Sequence, residues 1–146
     1  MNFEQIEDAI ISRIKDQLAY VRTCETWAGQ LEGEIDKLTI NYPAVFVSYG
    51  GSKLEWIDNI NFNEAVEFSI LVAAKNLRGQ EAARKDEQGC YQMIMDILTA
   101  LTNRTLDLDI ERLRPVSVDM IGVTKTIAIY GIKFQTNFDN TYEVAA

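Results

Sequence analysis

Asp107, Asp109 and Glu111 stand at alternate positions of the chain. In an extended segment such side chains share one face, about 7 Å apart. Three carboxylates so placed could hold Ca²⁺ or Mg²⁺, hard cations that take oxygen ligands. The stretch has neither EF-hand spacing nor a glycine at a loop apex. Leu106, Leu108 and Ile110 alternate with the acids, which reads first as the wet and dry faces of an edge strand. A small metal-dependent hydrolase built on these carboxylates is the enzymatic alternative.

Other candidates carry less chemistry. Ser48 in Val47-Ser48-Tyr49-Gly50 lacks the glycine two residues earlier that a nucleophile elbow needs, since Phe46 stands there. Gly50-Gly51-Ser52-Lys53 has neither the spacing nor the following helix of a phosphate loop. No histidine occurs among the 146 residues. That excludes Ser-His-Asp and Cys-His nucleophiles and the common histidine-bearing zinc sites. Cys24 and Cys90 are too few for a four-cysteine site and read as small apolar fillers. The expectation is a protein that is not an enzyme, with no cofactor and no metal.

Charge narrows the partners. A net charge of −8 opposes adhesion to nucleic acid or anionic lipid, because each phosphate contact needs a cation. Neither a nucleic acid read by sequence nor a membrane is expected as a partner. No apolar run approaches the ~20 residues of a membrane span, and the first residues do not resemble a cleavable leader. Sparse cysteine suits free thiols in a reducing cytosol.

These residues need elements to hold them. Phe3, Ile6, Ile10, Ile14, Leu18 and Val21 recur at helical spacing and predict a helix over residues 3–20, capped by Asn2 with Gln5 three residues on. Alternation around residues 21–27 suggests a short strand. Pro43 opens a strand through Val45, Val47 and Tyr49 whose two faces are both largely apolar, as in a strand covered on both sides. Residues 50–63 read as a polar connection, with Trp56 and Ile57 folding back onto the body or onto a neighbour. Val66, Phe68, Ile70, Val72 and Ala74 mark the next strand. Residues 76–88 read as an exposed charged loop running into a helix over residues 86–102, with Gly89 near its start and Asn103 suited to its C-terminal end. Val116, Val118 and Met120 suggest a further strand after Pro115. Thr126 to Phe138 alternate as a long one.

The order of helix, strands, helix, strands implies an α+β domain, with two amphipathic helices packed on one face of a mostly antiparallel sheet. One domain over residues 1–146 suits the length, which is enough to bury roughly 70% of the unfolded surface. Residues 139–146 read as a flexible tail. Trp27 and Trp56 read as core anchors or as interface anchors, a role in which tryptophan is enriched.

The helix, the Pro43-Ala44-Val45-Phe46-Val47 strand followed by Ser48-Tyr49-Gly50, the strand from Val66 to Ala74, the helix around Tyr91 to Leu101, Leu106-x-Leu108 and the ending Phe134-x-Thr136-x-Phe138 together resemble the Mu-like bacteriophage tail-terminator family. The resemblance implies a virion structural protein that forms a homo-oligomeric ring, commonly a hexamer, at the head-proximal end of the tail tube. Such a ring stops tube polymerisation and offers a head-joining surface. Its implied partners are further copies of itself, the tail tube protein and a head-completion or connector protein. Its place is the virion tail, after assembly in the bacterial cytoplasm. A neck or head-completion protein is the neighbouring alternative. The resemblance does not extend to the stretch Glu55 to Asn63; the protomer and partner contacts are inferred from the loops themselves, at Trp56, Ile57, Arg78, Arg84 and Lys85, with strand edges available for β-augmentation.

Overall fold

The computed structural model describes residues 2–33 and 39–142. The elements are α1 (Phe3–Gln17), β1 (Thr23–Thr26), β2 (Ala44–Trp56), β3 (Asn61–Lys75), α2 (Gln80–Lys85), α3 (Cys90–Leu101), β4 (Arg114–Val123) and β5 (Ile127–Thr141). They build a single α+β domain. The five strands lie in the order β1-β2-β3-β5-β4. Only the short β1–β2 pairing is parallel; the other three are antiparallel.

Helix α1 starts where the sequence places a cap. Gln5 N donates to Asn2 Oδ1 at 2.8 Å, and Asn2 N donates back to Gln5 Oε1 at 3.1 Å. That capping box satisfies two amides with no partner inside the helix. Ile6, Ile10 and Ile14 point from one face into the core, and Leu18 N–H closes the last turn on Ile14 O. Fully burying each such side chain contributes about 2 kcal/mol. The helix stops three residues before the expected residue 20. There Val21 N–H turns back onto Leu18 O and Arg22 N–H reaches Pro43 O, which starts the sheet.

The core has two sides. On the helix side, α1 and α3 cover Val45, Val47, Phe68, Ile70, Val72, Ile132 and Phe134. On the other, Trp27, Leu31, Ile40 and Tyr42 cover Ala44, Phe46, Ala73, Ile127 and Ile129. The start of β2 is therefore buried on both faces, as its apolar alternation predicts.

Four expectations need correction. Residues 50–63 are not a connection. β2 continues to Trp56 and β3 begins at Asn61, leaving a tight turn between them. Gly50 and Gly51 sit at a β-bulge, where the register slips between Tyr49 and Gly51 and Gly51 adopts φ +129°. Glycine inside a strand often marks such a bulge.

The helix expected over 86–102 runs from Cys90 to Leu101, just after Gly89, but the segment 76–88 expected as an exposed loop holds a second short helix, α2. A Cβ on Gly89 would stand 2.6 Å from Ala83 O and 2.7 Å from Asp86 O, so the chain folds α2 against the start of α3 at the one residue that fits. Asn103 lies just beyond the C-cap Thr102 with φ +61°, a position asparagine tolerates.

Leu106 to Ile110 is no strand. Leu106 and Asp107 have φ of +55° and +59°, which breaks extension at once. Finally, β5 carries residues 139–141 in register with Asn63 to Asn61, so this part of the expected tail belongs to the sheet. Residues 143–146 of that stretch lie outside the described residues.

Candidate assembly surface

Besides the outer side of the four-residue β1, two longer stretches of strand edge have no neighbouring strand among the described residues. β1 pairs with β2 only from Ala44 to Val47, so the outer edge of β2 from Ser48 to Trp56 is open. β4 lies last in the sheet and is open along its whole outer side. It also presents Val116, Val118, Met120, Ile121 and Val123 to solvent, with Ile121 57% exposed. A long apolar edge left open would template sticking, which soluble proteins avoid unless the edge is used.

The hairpin tip is the second feature. Asp58 builds the turn: its Oδ1 accepts from Ile60 N at 3.0 Å and Asn61 N at 2.8 Å, and its Oδ2 accepts from Asn61 Nδ2 at 2.7 Å. Those bonds, the Asn61 side chain first, hold its carboxyl below the usual carboxylate range. The turn lifts Leu54, Trp56, Ile57 and Ile60 out of the core, with Trp56 77% exposed. The Trp56 ring meets Phe62 edge-on at 5.9 Å, and Phe62 in turn meets Tyr142 at 5.9 Å. Beneath this cluster, Glu64 is buried; it accepts from Asn140 Nδ2 at 3.1 Å and from the Tyr142 hydroxyl.

The five residues expected at contacts do not form one patch. Trp56 and Ile57 sit at one end of β3, while Arg78, Arg84 and Lys85 follow its other end. A strand of 15 residues separates them by about 45 Å at ~3.3 Å per residue. The three cations are held within the chain. Arg78 pairs with Asp86, and Lys85 Nζ meets Glu81 Oε1 at 2.9 Å along α2. Arg84 is half-buried beside Tyr91 and Tyr130; hydrogen bonding with Tyr130 holds its guanidinium pKa above the ordinary value. The exposed apolar row of β4 escaped the sequence reading because nothing in Val116, Val118 and Met120 says which side of the sheet lacks a cover.

The other reactive candidates are placed plainly. Ser48 lies inside β2, opposite Ser69, rather than on a strand-to-helix elbow. Cys24 and Cys90 are buried free thiols, pushed up to about 11 and about 12 by that burial. Asp107 turns towards α1 while Asp109 and Glu111 line a different surface. Among the described residues, no group of three or more Asp, Glu or Cys is placed to hold a metal ion. No helix there is long and apolar enough to cross a membrane.

A family model described as Bacteriophage Mu, Gp37 matches residues 2–139. No curated protein matches the chain.

Proposed function

The chain belongs to the Bacteriophage Mu, Gp37 family, and on that premise we propose that it is a virion structural protein rather than an enzyme. It forms a closed homo-oligomeric ring, a hexamer, at the head-proximal end of the tail tube. The ring stops tube polymerisation and presents the surface that joins the head.

The observation that carries the ring is the direction of the two open edges. Three antiparallel pairings separate β2 from β4, so the two strands run in opposite senses. When copies are repeated around an axis in one orientation, the open edge of β4 faces the β1–β2 end of the next copy's sheet and runs antiparallel to β2 there. That contact is head-to-tail, and head-to-tail contacts close into rings when the rotation allows. It adds strand to strand through main-chain hydrogen bonds, with Val118, Met120 and Ile121 supplying apolar area. The hairpin tip, carrying Leu54, Trp56 and Ile57, projects beyond the seam and is the proposed contact for the tube or for the head-side partner. Arg78, Arg84 and Lys85, at the far end of β3, are proposed for the opposite axial face.

Light scattering of the purified protein, with negative-stain imaging of the same peak, tests this alone and after mixing with tail tube protein. Closed rings, or rings on tube ends, are the expected outcome. A monomer that ignores the tube would sink the terminator reading and favour a neck or head-completion role, to be checked against a connector protein.

A further inference from the structure

A cleft of about 630 Å³ opens between α1 and the α3–β4 connection, lined by Arg13, Asp16, Arg104, Leu106, Asp107 and Arg112 among others. Three of the chain's 14 basic residues converge there, on a protein whose net charge is −8. Gathered guanidiniums repel one another unless an anion lies between them. Arg13 is positioned in advance: its Nε donates to Ala100 O at 3.1 Å, which leaves its terminal nitrogens for the cleft. Arg104 and Arg112 have no side-chain hydrogen bond or ion pair among the described residues.

The loop that carries them is braced. Asn103 N donates to Leu113 O at 2.8 Å, and Leu113 N donates to Arg104 O at 2.9 Å, so the two ends of the loop are tied side by side. Between these ties Leu106 and Asp107 hold positive φ on the cleft wall, and leucine rarely adopts that conformation. Backbone strain of this kind gathers where a ligand is held.

We propose that this cleft is a binding site for a carboxylate, gripped by the Arg104 and Arg112 guanidiniums with Arg13 behind them. The guanidinium fork matches a carboxylate bidentately. Three guanidiniums against Asp16 and Asp107 leave one net positive charge, which a single carboxylate neutralises and a phosphate dianion overshoots. The proposal does not depend on the ring.

Calorimetric titration of the full chain with succinate, an end-capped tetraglutamate peptide and inorganic phosphate, at fixed ionic strength, tests the proposal. Saturable heat with at least one carboxylate probe, tighter than with phosphate, is expected. Succinate binding marks a small free acid; binding of the peptide alone marks a carboxylate carried by a partner chain. Replacing both residues (Arg104→Gln with Arg112→Gln) should weaken that binding at least about tenfold, a change of about 1.4 kcal/mol. Both side chains are exposed, so the melting temperature should not move. No saturable heat at tens of millimolar, tighter binding of phosphate, or binding unaltered by the double substitution would overturn it.

Discussion

Trp56 stands opposite Phe62 across the β2–β3 hairpin and rests on it edge-on at 5.9 Å, yet most of the indole faces solvent. An aromatic pair of this kind contributes about 1 kcal/mol beyond its buried area. Trp56→Ala is therefore expected to lower the stability of the isolated chain by about 1 kcal/mol in urea unfolding. If the indole anchors a partner, the same change weakens capture of tube ends by about 2 kcal/mol or more, roughly thirtyfold. Equal loss of stability and capture would reduce Trp56 to a prop for the hairpin.

Val118→Lys with Met120→Lys should leave the monomer folded and dissolve the proposed ring. Both side chains are exposed on β4, so surface substitution there changes stability within about 0.5 kcal/mol. Lysine on an edge is also a way natural sheets refuse a new strand. Sedimentation velocity would report the shift to monomer. Rings that persist would place the seam elsewhere.

Much of this architecture is readable in the residues. The Ile6, Ile10 and Ile14 stripe and the Asn2 cap define α1, and strict alternation defines β3 and the body of β5. The misreadings share a cause: each depends on backbone that local pattern does not encode. Gly50-Gly51 looks like a turn and is a bulge inside a strand. Leu106 to Ile110 alternates like a strand, but two residues of positive φ coil it into a loop. The arginine cleft joins Arg13 to residues far along the chain, so no spacing rule reaches it. The open edge of β4 is a property of the sheet order, which the sequence of that strand does not contain.

Gly89→Ala should cost about 1–3 kcal/mol, because the added methyl meets backbone oxygens of Ala83, Asp86 and Arg84 that cannot swing aside. Gly122→Ala in β4 has nothing within 4 Å and should leave the monomer within about 0.5 kcal/mol of the parent. Denaturant midpoints of the two variants, measured side by side, check the contrast. Equal effects would mean that α2 does not close on α3 as described.

Alkaline titration should weaken the fold with a definite sign. Burial raises both thiols, from the ordinary 9.0 to about 11 for Cys24 and about 12 for Cys90, and Tyr20, half-buried with its hydroxyl donating to Asp96, is raised as well. The folded state thus keeps protons that the unfolded chain releases. This stabilisation is complete below about pH 9 and is lost as pH rises through the raised values. Unfolding curves between pH 8 and 11 should show a falling midpoint, and Cys24→Ala with Cys90→Ala should flatten part of that fall. In the native protein at pH 8, both thiols should resist disulfide-exchange reagents. Rapid labelling would contradict their burial.

The position of Tyr142 has a practical consequence for handling the protein. Its amide donates to Ile60 O at 2.7 Å, and its ring lies against Phe62, so the chain leaves the sheet beside the hairpin tip. An affinity tag or fluorescent reporter joined after Tyr142 would emerge next to Trp56 and crowd that surface. A small label in particles meant to stay functional is better placed away from this tip.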